Sequence, residues 1–131
     1  MPQAVSFAAM VKVTEAVVYV MGGFHDYSTT DVMQKYDLQQ NSWEKMRLRL
    51  PVKLAKMGAA RLNDKEILIC GGIYENHQNY NPFSLISNTY KFNHKTNRWS
   101  KGMKMRSKRT THSSLCQHDN RVYVLGSTTG G

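Results

Sequence analysis

The side chains that could carry acid–base or nucleophilic catalysis are few and widely spaced. Hydrolysis by paired carboxyl groups needs two acids that face one another, yet Asp31 and Asp37 are six positions apart and Glu66 and Glu75 are nine apart. Ser113 follows a histidine, but the glycines that flank the serine of a nucleophile elbow are missing. We therefore expect no enzyme activity and no catalytic residue.

Metal and phosphate chemistry are also poorly supported. Cys116 and His118 lie two apart on a predicted strand and could face the same side, but two ligands are too few for a zinc site. Cys70 directly precedes a glycine pair, where a small buried side chain is expected. No Gly-x-Gly-x-x-Gly or lysine-bearing phosphate loop accompanies the glycines. We expect neither a metal nor a cofactor.

A repeat built on glycine pairs organises the elements that would have to position any site. A β-branched run ends in Gly22-Gly23, a second ends in Gly71-Gly72, and a weaker third ends in Gly126 followed by serine. The first glycines of the three runs are 49 and then 55 residues apart. The chain therefore contains two full units and part of a third.

An aromatic pair recurs inside each full unit. Tyr36 is followed seven residues later by Trp43, and Phe92 is followed seven residues later by Trp99. The glycines suit positions where backbones crowd and φ is positive, and the rings suit wedges between neighbouring sheets, with their polar atoms bonded to backbone carbonyls. We assign these residues a structural role: Gly22, Gly23, Tyr36, Trp43, Gly71, Gly72, Phe92, Trp99 and Gly126.

Each unit reads as four short strands, so the fold class is all-β. Asn63-Asp64 and Asp119-Asn120 are typical of tight turns between the first and second strands of their units. Hydrophobic residues make up 40 % of the 131 positions and charged residues 21 %, which supports a folded core and excludes a disordered chain. No segment shows a helical period, the nearest candidate being 101–109.

The glycine pairs and the spaced aromatic residues resemble the kelch repeat, which forms one four-stranded antiparallel blade of a β-propeller. The resemblance implies a first blade at about 5–52, a second at 53–107 and half of a third at 108–131. A closed propeller has about 4 to 8 blades, so this chain is too short to close a ring alone. We expect it to be a portion of a longer kelch protein, with further blades or self-association covering its open edges.

The resemblance also implies a function, because kelch propellers bind protein partners through loops on one rim. Some are substrate adaptors of cullin-RING ubiquitin ligases and others are actin-associated scaffolds. Tyrosine and asparagine in the loops after the glycine pairs suit such contacts. The resemblance also places Lys56 and Arg109, basic residues at the start of the following inner strands, at equivalent positions that often contact a partner. We expect the partner, an acidic or polar peptide, to contact Tyr27, Lys56, Tyr74, His77, Tyr80 and Arg109.

Two alternatives remain open on the sequence. Eighteen basic and nine acidic residues give a net charge of +9, and basic residues are densest at 101–109, which would suit nucleic acid or an anionic surface. That segment lacks interleaved aromatic residues, so a protein partner is favoured. A kelch-fold oxidase or epimerase fragment is the second alternative.

Cysteine use and hydropathy bear on the compartment. The chain has two cysteines and no Asn-x-Ser/Thr sequon, which favours the cytoplasm. The longest apolar run is six residues, 16–21, so no membrane span is expected.

Overall fold

The chain folds into successive antiparallel sheets. The structure is a computed structural model that describes residues 1–75, 83–109, 115–118 and 121–124. Those residues form fourteen β-strands and no helix, which confirms the all-β prediction. Within them, no helix is long and apolar enough to cross a membrane.

The first blade is a four-stranded sheet that carries a short hairpin. Its strands are β1 (Ala9–Lys12), β2 (Val17–Met21), β3 (Phe24–His25), β4 (Ser28–Thr29), β5 (Val32–Asp37) and β6 (Ser42–Arg49). The sheet order is β1-β2-β5-β6, and β3 pairs with β4 as a separate hairpin between β2 and β5. The glycine pair lies between β2 and that hairpin.

The second blade repeats this arrangement, and a third sheet follows it. The strands are β7 (Gly58–Arg61), β8 (Glu66–Cys70), β9 (Ile73–Glu75), β10 (Phe83–Leu85), β11 (Thr89–Asn93), β12 (Arg98–Lys101), β13 (Leu115–His118) and β14 (Arg121–Val124). The second sheet has the order β7-β8-β11-β12, and β9 pairs with β10. β13 pairs with β14 and lies beside β7, as β7 lies beside β1.

The core lies between the two blades. Met21 and Met33 of the first blade are fully buried, as are Ile67 and Phe92 of the second, and all four belong to one apolar cluster. The ring of Tyr19 lies 6.1 Å from that of Phe92, centroid to centroid. The face of the first sheet that carries Tyr19 and Met21 therefore packs on the face of the second sheet that carries Ile67 and Phe92.

Burial also perturbs two titratable groups in this region. It raises the pKa of Tyr19, with a smaller contribution from the Glu44 carboxylate, and it raises the pKa of the Cys70 thiol to about 12. Both groups are held in their neutral forms because the charged forms are poorly solvated there.

The repeated aromatic pairs have the same geometry but different environments. Phe92 and Trp99 lie opposite each other on β11 and β12 with centroids 4.9 Å apart, and Tyr36 and Trp43 match them at 4.9 Å on β5 and β6. Phe92 is buried by the first blade, whereas Trp43 remains 39 % exposed. Only the second pair is therefore wedged between two described sheets.

The polar atoms of these rings differ from the sequence-based expectation. The Tyr36 hydroxyl donates to Oδ1 of Asn41, a side-chain amide, and not to a backbone carbonyl. The buried Trp99 Nε1 has no hydrogen-bond partner among the described residues. The carbonyl bond predicted for Tyr36 is therefore wrong, and the described residues supply none for Trp99, so these rings act mainly through apolar packing.

The open face of the first blade is partly covered by the first residues of the chain. The Gln34 side chain is fully buried, and it makes two 2.9 Å hydrogen bonds to the backbone of Gln3. Its Oε1 accepts from the Gln3 amide, and its Nε2 donates to the Gln3 carbonyl. This clamp satisfies a polar side chain that would otherwise be costly to bury.

Candidate functional site

The glycine pairs place the two short hairpins at one end of the blades. The Gly23 amide donates to the Leu54 carbonyl at 2.8 Å, and the Gly72 amide donates to the Arg109 carbonyl at 2.9 Å. Gly22 has a φ of +63°, and a Cβ there would lie 2.5 Å from the Leu54 oxygen. Crowding and positive φ together explain why glycine is needed where the chain leaves β2.

Two repeat-equivalent residues stand beside these hairpins. Phe7 and Lys56 are 49 positions apart, like the first two glycine pairs, and have φ values of +54° and +56°. The Lys56 amide donates to the Phe7 carbonyl at 3.0 Å. The repeat therefore brings one residue from each blade to the same end of the molecule, in an unusual backbone conformation.

Tyr27 lies at the tip of the first hairpin. His25 pairs with Ser28, so Asp26 and Tyr27 form a two-residue loop, and their φ values are +50° and +66°. Such loops prefer asparagine or glycine, because both central residues need positive φ. The Tyr27 side chain is 98 % exposed, so packing does not account for a tyrosine at this position.

The opposite end of the blades uses residues suited to positive φ. Asn41 and Asn97 have φ values of +50° and +57° and precede β6 and β12. Asparagine adopts this conformation at low cost, whereas phenylalanine, tyrosine and lysine do so less readily. The costly cases Phe7, Tyr27 and Lys56 therefore all lie at the hairpin end.

A row of aromatic rings connects these residues. The Phe7 and Phe24 centroids are 6.2 Å apart with the rings perpendicular, and those of Phe24 and Phe83 are 5.6 Å apart at 86°. The Lys56 ammonium lies 5.0 Å from the centre of the Phe7 ring, within the range of a cation–π interaction. We call Phe7, Lys56, hairpin β3–β4 and hairpin β9–β10 the rim.

The rim contains two clefts. The aromatic cleft, of about 490 Å³, is lined by Ser6, Phe24, Asp26, Tyr27 and Phe83. The tyrosine cleft, of about 480 Å³, is lined by Ser28, Thr29, Val52, Lys53, Tyr74 and Glu75. A hydrogen bond of 2.6 Å from the Thr29 amide to Glu75 Oε1 joins the two hairpins.

The residues expected from the sequence to contact a partner are distributed unevenly. Tyr27 and Lys56 lie on the rim, and Tyr74 is half-buried in the tyrosine cleft. Arg109 is half-buried at the edge of the second blade, and its guanidinium donates to the Ser107 hydroxyl. The Arg109 carbonyl accepts a hydrogen bond from the Gly72 amide, just as the Leu54 carbonyl accepts one from the Gly23 amide. Arg109 therefore corresponds in the repeat to Leu54 and not to Lys56.

Three predicted residues lie outside the part of the chain that the structure describes: His77, Tyr80 and Gly126. Conversely, three rim phenylalanines were not among the residues predicted to contact a partner: Phe7, Phe24 and Phe83. The offset of 49 residues between Phe7 and Lys56 was a usable signal for the first of them. The Phe24–Phe83 contact joins two hairpins and leaves no such signature in the sequence.

Most of the basic segment 101–109 is exposed. Lys101, Lys104, Arg106 and Lys108 are exposed, and Met103 is 90 % exposed.

The described residues contain no group of three or more His, Cys, Asp or Glu side chains arranged to hold a metal ion.

Comparisons with known proteins agree with this architecture. Residues 16–47 match the family described as the Kelch motif, and no curated protein matches the chain. Among solved structures, that of YjhT is similar with a TM-score of 0.79 and 19 % sequence identity, over 98 % of this chain and 40 % of that one. The likeness establishes the fold, and this chain spans 40 % of the length of the solved chain.

Proposed function

Because the chain carries a kelch repeat and has the fold of kelch-type propeller blades, we propose that it is a protein-interaction module. In this proposal the rim binds a segment of a partner protein, and the chain catalyses no reaction. It would serve as the recognition or scaffold portion of a larger kelch protein, of the ubiquitin-ligase adaptor or actin-associated kind. The cytoplasm is the proposed compartment, which suits a sequence with two cysteines and no Asn-x-Ser/Thr sequon.

The proposal rests on one observation: the rim holds bulky residues in a costly backbone conformation while exposing them to solvent. Phe7 is 51 % exposed and Tyr27 is 98 % exposed, and both have left-handed φ values. Neither ring is buried in the core, so core packing does not offset the cost of its backbone conformation. Residues of this kind cluster at binding sites, where they hold a surface ready for a ligand.

The partner segment is proposed to be polar or acidic where it meets the lysines of the rim. Lys53 is exposed and lines the tyrosine cleft, and Lys56 carries its ammonium at the edge of the aromatic row. Tyr74 lines the tyrosine cleft beside Lys53, and a tyrosine offers a large contact area at low entropic cost. A carboxylate on the partner would be attracted to either lysine.

The test compares partner capture by variants at the two ends of the blades. Partners crosslinked to the wild-type protein in cells would be quantified for Tyr27→Ala, for Tyr27→Ala combined with Lys56→Ala, and for Leu38→Ala. Leu38 is a matched control because it is 46 % exposed and follows β5 at the end opposite to the rim. We expect the rim variants to lose the captured partners and Leu38→Ala to keep them.

Circular dichroism and thermal unfolding would establish that each variant is folded. If the folded double variant captures the same partners as the wild type in the same amounts, the rim is not the binding surface. Loss of capture by Leu38→Ala alone would likewise overturn the proposal, because it would move the interface to the opposite end.

A further inference from the structure

The aromatic cleft has a lining that differs from the rest of this basic protein. Among the five described residues that line it, three are aromatic, one is a serine, and Asp26 is the only charged one. None of these described lining residues is a lysine or an arginine, although the chain as a whole has a net charge of +9. Distant surface charges are screened over about 10 Å at ordinary ionic strength, so the lining dominates the local electrostatics.

We propose that the aromatic cleft receives an arginine side chain of the partner segment, with its guanidinium stacked on the rings of Phe24, Tyr27 or Phe83 and paired with the Asp26 carboxylate. This inference rests on the proposed function, because it names what the partner presents to the rim. It adds a basic side chain to the polar or acidic groups that would meet the lysines. The cleft volume of about 490 Å³ is within the usual range for small-ligand pockets.

The rings supply the first half of the recognition. Aromatic faces carry a negative quadrupole that attracts cations, and the perpendicular packing of Phe24 against Phe7 and Phe83 holds the row in place. The same row already accepts a cation within the chain, since the Lys56 ammonium lies 5.0 Å from the Phe7 centroid. A second cation at the Phe83 end would use the same chemistry.

Asp26 supplies the second half. Its side chain is 90 % exposed, and its position in the two-residue loop puts it beside Tyr27. His25 Nε2 lies 3.3 Å from one carboxylate oxygen, and His25 Nδ1 lies 2.9 Å from the Ala4 carbonyl. These contacts hold the loop beside the cleft.

Arginine fits this combination better than lysine does. The guanidinium is planar, so it stacks on a ring face and still presents N–H groups at its edge to a carboxylate. It is also less strongly hydrated than an ammonium, which lowers the cost of bringing it against aromatic rings. A carboxylate ligand is disfavoured in this cleft because Asp26 would repel it.

The test is an NMR titration of the protein with three short peptides of the form Gly-X-Gly, capped at both ends, in which X is arginine, citrulline or lysine. Citrulline has nearly the shape of arginine without its charge. We expect saturable shifts of the Phe24, Tyr27 and Phe83 ring signals, with the arginine peptide binding at least about tenfold more tightly than the citrulline peptide. Lysine should bind more weakly than arginine.

Asp26→Asn removes the charge with little change of shape and should weaken arginine binding about tenfold, a change of about 1.4 kcal/mol. Asp64→Asn is the matched control, because the Asp64 side chain is 95 % exposed and pairs with Arg61 away from the rim. It should leave the affinity unchanged. Equal binding of the arginine and citrulline peptides, or an unchanged affinity in Asp26→Asn, would overturn the arginine assignment.

The two proposals can fail separately. If Asp26→Asn binds the arginine peptide normally while Tyr27→Ala still loses its partners, only the arginine assignment is overturned. If neither variant has an effect, both the cleft and the rim are excluded as binding surfaces.

Discussion

The strongest test of the blade packing compares two residues that hold the same place in the repeat. Phe92 and Tyr36 each lie opposite a tryptophan, with ring centroids 4.9 Å apart in both cases. They differ in what covers them: Phe92 is fully buried beneath the first blade, whereas Tyr36 is only half-buried. Replacing each ring by alanine removes the same motif contact from two different environments.

The expected losses follow from that difference. Phe92→Ala removes a core ring and leaves a cavity, which costs about 3 to 5 kcal/mol. Tyr36→Ala loses the stacking on Trp43 and part of its apolar burial, which together amount to about 1 to 2 kcal/mol. The free energy of unfolding should therefore fall about 1 to 4 kcal/mol further for Phe92→Ala than for Tyr36→Ala.

Urea unfolding followed by far-ultraviolet circular dichroism would measure both losses, provided that the slope with urea is the same for the variants. Equal destabilisation by Phe92→Ala and Tyr36→Ala would refute the reasoning. It would mean that the face of the first blade bearing Tyr36 is covered as completely as that of the second. Self-association, detected by light scattering, would then be the first explanation to examine.

Three further outcomes are expected. Gly22→Ala should lower the free energy of unfolding in urea by about 2 to 4 kcal/mol, because its Cβ would meet the Met57 side chain and lie 2.5 Å from the Leu54 oxygen. A loss below about 1 kcal/mol would contradict the crowding. Tyr27→Gly relieves a left-handed backbone at a 98 % exposed position. Its melting temperature should therefore be unchanged or rise by a few degrees, while partner capture falls. A drop of several degrees would show that Tyr27 supports the fold. Folding raises the pKa of the Cys70 thiol from 9.0 to about 12. The free energy of unfolding should therefore fall as the pH rises from about 9 to 12, because only the unfolded state loses the proton there. In Cys70→Ala the free energy of unfolding should fall less steeply over the same pH range.

Much of the architecture could be predicted because it depends on local spacing. Gly22 and Gly71 mark the ends of equivalent strands, and the seven-residue interval from Tyr36 to Trp43 spans a hairpin whose register puts the two rings opposite each other. Such patterns involve residues close in sequence, so they survive without knowledge of long-range contacts. They were sufficient to predict the strands and the resemblance to the kelch repeat.

The binding surface could be predicted only in part. Tyr27 was predicted to contact a partner because it lies in the loop after a glycine pair, and the structure places it at a hairpin tip. Arg109 was grouped with Lys56 on charge and position, yet its carbonyl takes the place of that of Leu54. The second and third glycine positions are 55 residues apart, and the same offset leads from Leu54 to Arg109 and not from Lys56. Applying that offset would have identified the corresponding position from the sequence.

The sequence alone determined the all-β class and the repeat, since glycines, aromatic residues and strand periods recur at regular intervals. Only the tertiary structure decided that Phe24 meets Phe83, that Lys56 lies over Phe7, and that Asp26 borders an aromatic cleft. These contacts join residues 49 or more positions apart or depend on positive φ. They arise from the packing of one blade on the next, which no local pattern encodes.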